Sequence, residues 1–286
     1  MSQVARELVA RVRDLVSLPE AYLGIRSLMD DPQSTIEDFA RAVQLDPALT
    51  ARLLRVANSA FFGVSRKIET ISLAVNLMGI SRLHDLVLTT SVIGTFEQLA
   101  LADLDLGNFW RHSLHTGIIA RMLAASSRTF DSERLFVGGL LHGIGELVMC
   151  LVAPVQYTAA LERSRSTGAT LEDSERELIG CDHVELGAEL MRAWQFPPVL
   201  VAMCACQSEP WRSEEHAREC ALVHVARGIA RTLEADPASN DPLIACNPRA
   251  IELARLDGVA LDTIITESLQ HLADVAEVLL QRHQAA

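Results

Sequence analysis

The sequence predicts an all-α fold, on three observations. Apolar residues recur at the helical period through nearly the whole chain. Start and stop signals bound the periodic runs, with Asp46-Pro47 and Asn247-Pro248 opening two of them and Gly79 closing a third. No stretch alternates apolar and polar residues with period two between turn residues, so no strand is needed.

The elements follow in order. Residues 1–14 alternate charged and apolar side chains amphipathically, without the basic head and apolar core of a secretory leader. Ser34-Thr35-Ile36-Glu37 has the form of a capping box ahead of a periodic run. Asp46 then offers an N-cap with Pro47 at the first helical position, and Gly63 closes that helix after Phe61-Phe62. Near its end, Asn58 is expected to cap the turn toward Gly63 with its amide. A short helix is predicted over 70–78, and another from Ser81 to residue 96. Longer ones follow at 108–126, 132–153, 155–166, 170–179, 182–194, 198–207 and 214–234. A helix opened by Asn247-Pro248 ends near Gly258, and Asp262 caps the last.

Gly107-Asn108 marks a seam, and the Asp-, Pro-, Ser- and Asn-rich stretch 235–248 is the best loop. Three segments result: an N-terminal helical subdomain (1–106), a central helical bundle (107–234) and a C-terminal helical pair (235–286). Repeats with matching landmarks are absent, which disfavours an α-solenoid.

Composition narrows the class of function. The 286 residues carry 25 basic and 37 acidic groups, a net charge of −12, and Lys67 is the single lysine. Such a chain has no general attraction for phosphate backbones or anionic membranes. The charge is uneven: residues 1–100 hold ten basic and eleven acidic groups, and the remainder carries a net −11. An anion would therefore meet the first third, around Arg52, Arg55, Arg66, Lys67 and Arg82, although solvated helix faces are the simpler account of those residues. Six cysteines, mostly inside apolar runs, read as buried hydrophobes rather than a disulfide framework. The longest apolar stretch, 135–154, is interrupted by His142 and Glu146 and reads as a buried helix rather than a membrane span. A soluble cytoplasmic protein is expected.

Three histidines stand on three predicted helices: His112, His142 and His183. Converging imidazoles could bind a transition metal, whereas a single His on an apolar helix is ordinarily a hydrogen-bonded core residue. Cys204 and Cys206 lie on different helix faces, and Cys220 with His224 share one, but neither pair has nearby partners that would complete a zinc site. Asp85 and Asp103–Asp105 read as surface charges. The succession of helices over 71–88 could be a helix-turn-helix, but its second helix offers Arg82 and His84 beside Asp85 and many apolar residues, a poor reader of bases. No phosphate-cradling loop or nucleophile elbow occurs.

Phe109-Trp110-Arg111-His112-Ser113, then Gly139-Leu140-Leu141-His142-Gly143-Ile144-Gly145-Glu146-Leu147, then His183-Val184-Glu185-Leu186-Gly187-Ala188 resemble the HD phosphohydrolase superfamily. Upstream, Asp46-Pro47-Ala48-Leu49-Thr50-Ala51-Arg52-Leu53-Leu54-Arg55-Val56-Ala57-Asn58-Ser59-Ala60-Phe61-Phe62-Gly63 resembles the signature of the HD-related output domain, HDOD. The resemblance spans about residues 15–230. It implies an HD-like helical bundle packed with an N-terminal helical subdomain, and a role in bacterial signal transduction.

The departures from the catalytic HD pattern matter most. Where a working enzyme has an aspartate after the second histidine, this chain has Gly143. The lysine common three residues later is Glu146, and the closing aspartate ligand aligns with Arg227. A guanidinium has only donors and repels cations. Arg227 is thus expected to occupy the vacated metal position, neutralised by Glu146 or a neighbouring acid. A paired histidine motif found in related cyclic-dinucleotide phosphodiesterases would fall near Gln207-Ser208, where both imidazoles are missing.

The expectation is a non-catalytic signalling module, with no catalytic, cofactor or metal residues. It would act by binding a partner protein or a small ligand, and His112, His142, Gly143, Glu146, His183 and Arg227 would form a vestigial HD pocket serving as a ligand or ion-pair site. Without a receiver or kinase segment it would work as a standalone domain. A nucleic-acid partner is disfavoured, and a homodimer through the amphipathic termini (4–15 and 269–282) is one arrangement, although packing onto their own core is the simpler use. The alternative is a metal-dependent phosphohydrolase or cyclic-dinucleotide phosphodiesterase with a reduced His112–His142–Glu146 site.

Overall fold

A computed structural model describes residues 2–12, 15–18, 20–62, 66–97, 99, 104–127, 131–237, 239 and 241–280, the side chains of Ala21 and Ala60 excepted. Gly63 and Asp103, two positions of the expectations above, lie outside them.

Among the described residues every regular element is helical. In chain order the first are α1 (Gln3–Val12), α2 (Glu20–Met29), α3 (Ile36–Gln44), α4 (Pro47–Ala57), α5 (Ile71–Met78) and α6 (Ile80–Glu97). Then come α7 (Leu106–Ser127), α8 (Ser132–Leu141), α9 (Ile144–Val152), α10 (Pro154–Thr167) and α11 (Leu171–Ile179). The chain closes with α12 (His183–Ala193), α13 (Pro198–Ala205), α14 (Ala217–Ala235), α15 (Pro248–Ala254) and α16 (Leu261–Leu279). Short 3₁₀ turns lie at Ala60–Phe62 and Pro210–Arg212.

Helix starts follow local chemistry closely. The side chains of Asp46, Thr70, Asp131, Thr170, Asp182 and Asn247 accept from backbone N–H groups of their first turns, satisfying donors the helix itself leaves open. The capping box sits one residue later than predicted: Thr35 is the N-cap and Asp38, not Glu37, returns the bond to its backbone. Two further boundaries differ. The single helix expected over 132–153 is two, α8 and α9, separated at His142-Gly143. Asp262 falls inside the first turn of α16 instead of capping it.

The contacts divide the chain into two compact units, each assembled from two stretches. The larger comprises residues 1–16 and 100–265, the smaller 17–99 and 266–286. This division differs from the three expected segments: α1 joins the central helices, and α16 contributes residues from 266 onward to the smaller unit. Long-range packing decides such membership, and it has no local sequence signature.

In the larger unit α7 packs against α8 and α14, and α12 against α9 and α13. Helix α1 buries Ala5, Leu8, Val9 and Val12 against α9 and α12, so that terminal stripe serves its own core. The indole of Trp194 donates to the Val16 carbonyl at 3.0 Å. Two helix pairs cross on glycine. A Cβ on Gly145 would lie 1.8 Å from the His183 carbonyl oxygen and 2.6 Å from the Gly187 nitrogen, and one on Gly139 would lie 2.7 Å from the Gly117 Cα. The stretch Ser132–Val152 has the length and apolarity of a membrane span, but 83% of its window is buried inside the fold.

In the smaller unit α6 packs against α2, α4 and α5, and α3 against α2, α4 and α5. The His271 ring of α16 meets Phe61 edge-on at 5.3 Å.

Candidate functional site

The crossing of α9 and α12 brings the signature residues into one region of the larger unit. Helix α7 supplies His112, the α8–α9 turn His142 and Gly143, α9 Glu146, the first position of α12 His183, and α14 Arg227.

His142 is buried. Its Nδ1 stands 2.6 Å from the Gly139 carbonyl oxygen, which makes Nδ1–H the donor and leaves Nε2 as a lone pair. Burial, aided by His112 and Arg227, holds its pKa well below the ordinary value, so the ring is neutral. Its backbone carbonyl accepts from Gln207 Nε2 at 2.7 Å, fixing the turn. The His112 ring lies 5.5 Å from that of His142, tilted 66°, and its Nδ1 lies 3.0 Å from both carboxylate oxygens of Glu234.

His183 is also buried, but in the opposite state. Its backbone N–H and its Nδ1 both donate to Glu175 Oε2, at 2.9 and 2.7 Å, and Glu175 is completely buried. Burial alone would lower the imidazole pKa, but the Glu175 bond and charge outweigh it, with Glu146 and Glu172 adding to the rise, and lift it to about 9. His183 Nε2 therefore carries a proton that no hydrogen bond uses, 3.9 Å from Glu146 Oε1. The second oxygen of Glu146 accepts from the Tyr157 hydroxyl at 3.3 Å. Gly143 has no side chain to offer a cation, and its carbonyl is taken by the Glu146 N–H at 2.9 Å; a Cβ there would meet Phe109 at 3.2 Å and Glu146 Oε1 at 3.7 Å.

Helix α14 lays His224, Arg227, Arg231 and Glu234 along one face. Burial and the neighbouring Arg231 push the Arg227 pKa down to about 10, while Glu146 and Glu172 support its charge. Among the described residues Arg227 makes no ion pair of 4 Å or less with either acid; the coupling acts through space. Glu172 instead accepts from the Ser208 hydroxyl at 3.0 Å.

The structure thus gathers His112 with His142, His183 with Glu146, and sets Arg227 within electrostatic reach of His142 and Glu146. Sequence reading missed Glu175, Glu234 and Arg231, and noted Gln207 only for the imidazole it lacks. Glu234 and Arg231 could have been found by continuing the Arg227 stripe along α14; Glu175 and Gln207 are tertiary partners with no periodic signal.

The sequence pattern of the HDOD domain matches residues 15–210. The chain belongs to the HDOD family. The HDOD chain is similar throughout to a crystal structure from Shewanella amazonensis SB2B whose name assigns it to the phosphohydrolases: 28% identity, 98% of each chain covered, TM-score 0.76. It shares its fold with a Geobacter sulfurreducens HDOD domain protein of unknown function, at 22% identity over 96% of this chain and 97% of that one, TM-score 0.78. It is 27% identical over 241 residues to an uncharacterised protein of Treponema pallidum strain Nichols; the match takes in 82% of the HDOD chain but 46% of that longer relative.

The other constellations have local roles. Asn58 pairs with the backbone of Ile68 in both directions, each bond 2.7 Å, and also donates to the Leu54 carbonyl oxygen. His224 donates from Nδ1 to the Gln207 carbonyl oxygen and accepts at Nε2 from Asn247 N–H, so both ring nitrogens are occupied. The Cys204 thiol points to the His142 carbonyl, and Cys206 hydrogen-bonds Cys220. Asp105 caps α7 through the Asn108 N–H. Helix α6, the would-be DNA reader, buries Leu83 and a run from Leu86 to Ile93, and its His84 ring lies against Tyr22.

Proposed function

We propose that this HDOD chain is a non-catalytic output module of bacterial signalling that acts by binding a partner protein. The observation that supports it is the donor set around His142. A divalent cation at the HD position needs deprotonated ligands converging with a carboxylate beside the imidazoles. Here Gly143 contributes nothing, His183 offers a proton instead of a lone pair, and Arg227 adds a permanent cation on the facing helix. Among the described residues no three His, Cys, Asp or Glu side chains come together as a metal site. These residues do not fit the metal.

A second reading, a reduced phosphohydrolase using His112, His142 and Glu146, draws support from the name of the Shewanella relative. One experiment separates them. Purified protein is assayed for metal content and for turnover of bis-(p-nitrophenyl) phosphate and cyclic dinucleotides with manganese, iron or magnesium. The proposal expects neither bound metal nor turnover. Turnover that disappears in His142→Ala would establish the hydrolase instead.

A further inference from the structure

Of the ten basic residues of the first third, those around the expected anion-facing surface do not share one fate. Arg52 is spent internally, 3.2 Å from Glu97 with both side chains largely buried. Arg55, Arg66 and Lys67, in contrast, are exposed and line one open groove of about 920 Å³ with Leu54, Asn58, Ile68, Glu69 and Val278. All of these residues belong to the smaller unit.

Within a chain of net charge −12, the described residues of this groove gather three cations, including the single lysine, against one acid. That acid is weakly committed: Lys67 and Glu69 are 3.3 Å apart with side chains 78% and 70% exposed, an ion pair of small worth that a ligand can replace. Among the described residues no carboxylate pairs with Arg55 or Arg66 within 4 Å. The wall is also pre-set. Asn58 grips both the N–H and the carbonyl of Ile68 at 2.7 Å while tied back to α4 through Leu54. The backbone at Ile68, between these charged residues, is therefore fixed before anything binds, which reduces the ordering cost of association. Leu54, Ile68 and Val278 give the groove an apolar element.

We propose that this groove docks an acidic, partly apolar segment of a partner protein, its carboxylates meeting Arg55, Arg66 and Lys67. The inference rests on the partner-binding reading above and gives it a surface. A short acidic peptide fits the charge pattern better than a nucleic acid does. Among the described residues no aromatic side chain lines the groove to stack a base, and a long polyanion running beyond it would meet a chain whose other residues are net acidic.

The test uses the full chain and a fluorescein-labelled short peptide of Asp and Glu interrupted by leucines, followed by anisotropy. Saturable binding is expected, weakening roughly tenfold as NaCl rises from about 50 to about 300 mM. Arg55→Glu/Arg66→Glu should lose roughly tenfold or more in affinity with an unchanged melting curve, because both side chains are exposed. Arg134→Glu/Arg163→Glu makes the same change in net charge on exposed residues elsewhere and should bind as the parent does. Three results would overturn the proposal: no saturable binding, equal losses in the two double variants, or tighter binding of a single-stranded oligothymidine of matched charge. Each leaves the turnover assays free to judge the non-catalytic reading on its own.

Discussion

Glu175 and His183 form the most consequential residue-scale contact in the larger unit, a buried pair in which one carboxylate oxygen serves both the backbone and the ring of the first residue of α12. Deleting one member of such a pair strands the other's charge in the interior. His183→Ala is therefore expected to cost about 3–5 kcal/mol, read as a lower urea midpoint. The pair also predicts a pH signature. The imidazole titrates at about 9 in the fold against 6.5 in the open chain, so its stabilisation is complete below pH 6.5 and declines as pH rises through 9. Urea midpoints measured across that interval should fall in the parent and stay flatter in His183→Ala; equal slopes would show that the ring is not charged. His183 was legible in the sequence as a signature residue, but its carboxylate partner was not, because a contact between the middle of one helix and the start of the next follows no fixed spacing.

At the scale of elements, helix existence and most starts were legible because N-caps are local chemistry: an oxygen on Asp46, Thr170 or Asn247 reaches an N–H within its own first turn. The failures were local choices settled by packing. Thr35 and Asp38 took the capping box from Ser34 and Glu37. The apolar run through 132–153 hid the break at His142-Gly143, since periodicity cannot register a turn that keeps both flanking helices buried. The signature glycines were visible, but their purpose was not. Gly145 is a steric requirement of the α9–α12 crossing, with the His183 carbonyl where its Cβ would be. Gly145→Ala should destabilise by about 3 kcal/mol or more, since neither backbone can yield cheaply. Gly24→Ala, on an exposed helix position where an added Cβ meets nothing within 4 Å, should instead gain about 0.5–1 kcal/mol. Thermal melts of the two variants should move in opposite directions.

For the whole molecule, the sequence disclosed composition, helical class and family resemblance, while the partition into two units depended on contacts between distant segments. The smaller unit is completed by α16, whose Leu272, Val275 and Leu279 are buried and whose His271 meets Phe61. A fragment of residues 17–99 alone should accordingly melt without a cooperative transition by circular dichroism, and a fragment joining 17–99 to 266–280 through a flexible linker should recover one. A sharp transition in the shorter fragment would show that α16 is dispensable. The same arrangement orders events on the ribosome. Helices α2–α6 emerge early, yet the residues of α16 that complete their unit, from 266 onward, are translated only after every residue of the larger one. The smaller unit must then wait, partly assembled, while its neighbour is still being made, and its exposed apolar face is the part of the nascent chain most in need of a chaperone's cover.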